Sequence, residues 1–359
     1  MSEVLDDALE RLSGFGTETG TGNPNHGPMA AQALVELGFA DAVGPWVAEY
    51  AKRLTQATGA IEPISEATWR SALGAGQRFA DWQLFFGHQL DDMSWRGLLL
   101  TWLPRLWPGG MAVGGHGPIR VAHAVSAMSS EATEPRLDEL ASALAYWAAY
   151  YSELPSTATL EGDMDVRSAL RHLPHLNETQ QRSGVPPKVI RLLSGVPEFA
   201  HALDLLATPS DPLEQLHELS WAGADLYRHN NSKFPLVFVH TITATEAVRV
   251  LLPFTPESAR PDAYRFGWHY MAATWAAFGT SGAAAAPPID RVPQVEAVMD
   301  HCLASGDEHA FKLTAACLRE YRRTGDPIFL SVADDWSVRM LAAREWNLSR
   351  RIAAGLAFV

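Results

Sequence analysis

The sequence predicts an all-α protein, a single large helical domain over residues 1–359. Apolar residues recur every three or four positions over most of the chain, continuous β-branched runs are scarce, and glycine or proline ends each periodic stretch. With 359 residues, 47% of them hydrophobic and 19% charged, the chain can bury a large core as one big domain or two tightly joined ones. No repeat of fixed period divides it.

The elements follow in order. "MSEVLDDALERL" opens the chain as an acidic amphipathic helix, without the basic and apolar regions of a signal peptide. "PMAAQALVELGF" (28–39), "DELASALAYWAAYY" (138–151) and "DPLEQLHELSWAGADLY" (211–227) carry the helical period, with stops at Gly38, Pro155 and Gly325. "PLVFVHTITATEAVRVLLP" (235–253) is strand-like in propensity at its start. Pro235 nonetheless suits a first helical position, and His240, Thr243, Ala247 and Leu251 keep helical spacing, so a buried helix is expected. "LLPFTPESARPD" (251–262) and "GTSGAAAAPPIDRVP" (279–293) read as loops. No apolar run is expected to reach the ~20 residues that span a bilayer.

The net charge of −13 argues against nucleic acid, whose phosphates call for a basic surface. Two cysteines, Cys302 and Cys317, form neither a disulfide framework nor a CxxC metal site, so a reducing, cytoplasmic setting is expected.

The chemistry-bearing residues begin with His-Gly-Pro, which occurs twice, in "NPNHGPMAAQAL" (23–34) and "GGHGPIRVAHAV" (114–125). Proline at the first helical position and glycine at the cap place His26 and His116 just outside a helix N-terminus. The positive end of the helix dipole disfavours imidazolium there, and neutral imidazole is the metal-ligating form. In the second copy His116, Arg120 and His123 share one helix face. His240 stands in an apolar run that argues for burial, with Thr241 or Thr243 as hydrogen-bond partner.

"SGDEHAFKLTAACLREYRRTG" (305–325) is a helix capped by Ser305 or Asp307 and closed by Arg322 and Arg323. His309 and Lys312 share its apolar face. From the residues alone, Lys312 reads as a snorkelling side chain with its amine in water. A desolvated amine would instead lose its proton, and could then react with carbon dioxide to form a carbamate.

"NHGP", "GGHGPIRVAHAV", "VHTITATEAVRVLLP" and "DEHAFKL", in that order from about residue 24 to 320, resemble the questin oxidase-like family, which includes fungal oxidases that open anthraquinone rings in polyketide pathways. The resemblance implies an iron centre held by four histidines and a carboxylated lysine, falling on His26, His116, His240, His309 and Lys312. It implies a non-haem Fe(II) oxygenase of secondary metabolism that takes O2 and a polycyclic aromatic substrate. NADPH is a candidate co-substrate. Fungal members often have histidine where this chain has Arg120, and an aromatic residue near His123. Arg120 cannot ligate a metal and is expected to hold an anion, either a substrate carboxylate or the lysine carbamate. His123 stands as a spare ligand, an acid/base group or a core residue. Both are counted as candidate catalytic residues lining the site.

Twelve tryptophans, Trp82, Trp102 and Trp275 among them, are available to pack the core, and a minority are expected to touch substrate. His88, His229 and His269 are reserve ligands. A metal-dependent hydrolase using the same histidines to activate water is the rival reading.

Overall fold

A computed structural model describes residues 2–129, 131–280, 289 and 291–353. Helices make up 69% of the chain, and the sheet among the described residues is a two-stranded antiparallel pair, Phe15–Thr19 with Leu54–Gln56. The expected helices form within a few residues of their predicted limits: Ser2–Ser13, Gly27–Glu36, Glu134–Ala149, Pro212–Asn230, Pro235–Leu251 and Glu308–Thr324. Gly38 and Gly325 do end helices, each at positive φ. The segment 251–262 departs from the expected loop. It winds into the turns Leu252–Phe254 and Glu257–Ala259 and enters the helix Arg260–Phe278, in which Pro261 takes a first-turn place. The 279–293 loop lies largely outside the described residues.

Four helices close a ring. Gly27–Glu36 touches His116–Ala127, which touches Pro235–Leu251; that helix touches Glu308–Thr324, which returns to Gly27–Glu36. Pro235–Leu251 packs against Pro212–Asn230 and Arg260–Phe278 as well. Over Pro235–Phe254 this segment is long and apolar enough to cross a membrane by length and composition, contrary to the sequence expectation. Yet 72% of that window is buried, because its apolar faces are covered by neighbouring helices rather than left for lipid.

Outside the ring, Glu134–Ala149 covers His116–Ala127 and carries Trp147 against it. Trp82, Phe85, Phe86 and Trp102 interlock with ring centroids 4.9–5.7 Å apart. Each such pair adds about 0.5–1.5 kcal/mol beyond area burial. Trp82 and Trp102 are therefore core residues, and Trp275 stands against the His175 ring at 4.7 Å.

Candidate metal centre

The two His-Gly-Pro sequences start helices as expected, but each helix begins earlier than predicted, by one residue in the first copy and by two in the second, so neither histidine stands outside its helix end. His26 is itself the cap of its helix, and His116 is the first residue of its own, preceded by Gly115. Gly115 sits at φ 90°, and a Cβ there would lie 2.9 Å from the Tyr270 ring. Gly117 is held to glycine by space: a Cβ would meet Ala112 and Trp147 at 2.9 Å. Before the turn, Val113 adopts φ 46°, an uncommon conformation for a β-branched residue, and its carbonyl accepts from His116 Nδ1 at 2.6 Å.

His26, His116, His240 and His309 converge, although 283 positions separate the first and last. Ligand atoms of His26, His116 and His309 lie within 4.8 Å of one another, and the His240 and His116 Nε2 atoms are 3.1 Å apart. His26, His116 and His309 stand at or beside the N-terminal ends of their helices, and His240 lies in the second turn of its own. The converging positive dipole ends favour neutral rings and an anionic guest. Asp307 fixes the last helix by accepting from the His309 and Ala310 amides, and is itself held by Trp336 Nε1 at 3.0 Å. His26 is placed by its amide, which donates to Tyr50 Oη at 2.7 Å.

Burial is the main cause that pushes the imidazole pKa values down, with repulsion from Lys312 second at His26, His240 and His309. At His116 the His240 ring is the larger second cause. The fall is to about 4 at His240 and well below the ordinary value at the other three. All four rings are neutral near pH 7.

Two of them are also fixed in tautomer. His116 Nδ1 faces the Val113 carbonyl and His240 Nδ1 faces the Leu236 carbonyl at 2.8 Å, in place of the threonine partner expected for His240. A carbonyl only accepts, so both Nδ1 atoms carry the proton and both Nε2 atoms are bare lone pairs. Two acceptors 3.1 Å apart in a buried site repel unless a cation lies between them. That arrangement, with backbone carbonyls orienting the rings from behind, fits histidine ligation of a transition metal.

Lys312 does not snorkel. It is 2% exposed, and its Nζ lies 2.6 Å from His26 Nδ1 rather than against a carboxylate. Burial lowers its pKa to about 7, opposed by Glu308 and Asp307. The helix that carries Lys312 is packed between Gly27–Glu36 and Pro235–Leu251, which keeps the amine from reaching out to bulk solvent.

Arg120 and His123 share the His116 helix but turn to other partners. Arg120 makes a two-pronged ion pair with Glu139, at 2.7 and 2.8 Å, with both side chains nearly buried. Its guanidinium thus already holds an anion from within the fold, neither substrate nor carbamate, and it braces two helices. His123 Nδ1 donates to Gln32 Oε1 at 2.6 Å, and its ring lines a small pocket shared with Lys312. None of the reserve histidines joins the cluster. His88 is exposed, His229 Nδ1 donates to the Asp225 carbonyl, and His269 Nε2 donates to the Pro155 carbonyl.

A cavity of about 390 Å³ opens over the four histidines. Its walls are mainly apolar, including Met111, Val113, Ile190, Leu236 and Phe278, with Tyr270 at one side. The expected tryptophan lining is not found among the described residues, where proline, aliphatic and phenyl groups take that place. Sequence reasoning missed Tyr270, whose hydroxyl donates to the Gly114 carbonyl at 2.8 Å and buttresses the His116 turn. It also missed the ionic chain Glu36–Arg319–Glu246 behind the cluster. A faint signal was present in the buried stretch 235–253, where Glu246 and Arg249 stand three residues apart.

Fold and site together define an all-helical protein whose core presents a histidine cluster able to hold a metal ion. The family model described as questin oxidase-like matches residues 25–317, and the chain belongs to that family. The family makes it an oxidoreductase and suggests a polyketide-type substrate. A comparison with curated proteins found no match.

Proposed function

We propose that this protein is a non-haem Fe(II) oxygenase that acts on a polycyclic aromatic ketone or quinone of polyketide type, by ring cleavage or Baeyer–Villiger-like oxygen insertion. The observation that carries this reading is the pair of bare Nε2 atoms of His116 and His240 facing each other at 3.1 Å. His26, His116, His240 and His309 would hold the ion, with Lys312 as its carbamate adding the one anionic ligand. Iron bound there supplies the redox chemistry that O2 activation needs.

The residues of the chain do the rest. The apolar cavity walls receive a flat hydrophobic substrate and exclude water from the cluster. Tyr270, its hydroxyl already committed to Gly114, lines that space. The converging helix N-termini favour negative charge at the centre, which suits the carbamate. Both cysteines are buried free thiols, in keeping with work in a reducing cytoplasm, as part of secondary metabolism. NADPH would serve as co-substrate if the oxygenation inserts one atom of O2 and reduces the other.

The test is elemental analysis of anaerobically purified protein together with oxygen uptake on anthraquinone substrates. Iron near one per chain and uptake that needs both iron and substrate are expected. Equal turnover under argon would instead select the metal-dependent hydrolase.

A further inference from the structure

The five polar groups of the centre do not share one cavity. The four histidines line the large apolar cavity and Lys312 does not. Lys312 instead lines a separate small pocket with His123, Thr243, Glu246 and Arg319, and none of the four histidines borders that pocket. Its volume, about 10 Å³, is room for one water-sized molecule. Ser126, Val250 and Arg319 line this pocket and also an outer groove of about 670 Å³, so the two adjoin across those three side chains. The partition is held by ion pairs: Arg319 binds Glu36 on the groove side and Glu246 on the pocket side. Glu246 is nearly buried. Its Oε2 accepts no hydrogen bond, although Arg249 Nε stands 3.4 Å away. A pocket of that size with Lys312 in its wall suits one small molecule.

We infer that this pocket is the entry for carbon dioxide to Lys312, reached from the outer groove past Ser126, Val250 and Arg319 and separate from the substrate cavity. The inference rests on the proposed carbamate. In the step, the Lys312 nitrogen lone pair forms a bond to the carbon of CO2, and one C–O π pair moves onto oxygen. Once the carbon is bound to nitrogen and so part of the side chain, a water takes the vacated pocket and receives the proton that the nitrogen releases. No electron is gained or lost. A separate entry lets the lysine be carboxylated while the large cavity is filled, so a bound substrate need not leave for the centre to be completed.

The experiment follows carbamate exchange, not turnover. Protein loaded with diamagnetic zinc is equilibrated with 13C-bicarbonate and moved to unlabelled buffer, and decay of the carbamate carbon signal is recorded by NMR. Val250→Trp and Ser126→Trp each fill the shared wall at a half-buried position, and Val185→Trp narrows the mouth of the large cavity on the other side. Either wall variant is expected to slow exchange by about ten-fold, a barrier rise of about 1.4 kcal/mol, with zinc content and helicity unchanged. Val185→Trp should leave the rate as it is. Unchanged exchange in both wall variants, or slowing by Val185→Trp alone, overturns the second entry while leaving the carbamate in place. A parent protein that takes zinc but never acquires the label removes the carbamate itself, and the entry with it.

Discussion

Replacing His240 with alanine tests the centre most directly, because that ring is fixed by its own helix and faces His116 Nε2 at 3.1 Å. At a metal concentration about 100 times the parental Kd, binding stabilises the native state by about 2.7 kcal/mol. Unfolding entropy of about 2.1 cal/mol/K per residue, over 359 residues, gives about 0.75 kcal/mol/K, so the metal should raise Tm by about 3.6 °C. Loss of one imidazole weakens affinity at the upper end of the ~10–100-fold range known for orienting groups. At 100-fold the same metal concentration stabilises by only about 0.4 kcal/mol, a shift of about half a degree. The assay is differential scanning calorimetry with and without anaerobic Fe(II), paired with metal analysis of the desalted protein. His269→Ala is the matched control, an equally buried histidine bound to the Pro155 carbonyl and outside the cluster. It should lower Tm outright yet keep the full metal shift. A His240→Ala protein that still gains 3–4 °C would refute the reasoning, since that ring would then be a core residue only.

Stability of the metal-free protein should fall as pH drops from about 6.5 toward 4, because unfolded histidine takes a proton near 6.5 while folded His240 refuses one until about 4. That residue alone accounts for a total loss of about 3 kcal/mol across that pH range. Urea titrations of chelator-treated protein at pH 7 and pH 5 measure it, and equal midpoints would contradict the buried neutral cluster. Arg120→Ala should cost about 3–5 kcal/mol by leaving Glu139 buried without its partner. Metal content of the folded fraction should be unchanged, and loss of turnover without loss of stability would restore Arg120 to the active site. Gly115→Ala should cost about 1–3 kcal/mol from the left-handed backbone, and more from the Tyr270 contact. It should also lower metal occupancy, because the turn that carries the Val113 carbonyl aims His116; normal occupancy by elemental analysis would show that the turn can relax.

Local pattern decided a great deal. Helix positions in Gly27–Glu36, Pro212–Asn230 and Glu308–Thr324 followed from apolar spacing, proline entry and glycine exit, which act within one or two turns and so are written along the chain. The positions of His26, His116, His240, His309 and Lys312 were also marked, by local context and by likeness to a family. What they do together was not. His26 meets Lys312 across 286 positions only because four helices close into a ring, and ring closure depends on which apolar faces pair, not on any spacing. The same long-range packing overturned two local readings. It sealed Lys312 between helices where a lone amphipathic helix would let it snorkel, and it gave Arg120 a carboxylate from Glu139, a residue with no distinguishing mark in sequence. Periodicity could set the tryptophans inside, but the apolar cavity over the histidines is walled by other residues, because which buried face borders an opening is fixed only when neighbouring helices leave one.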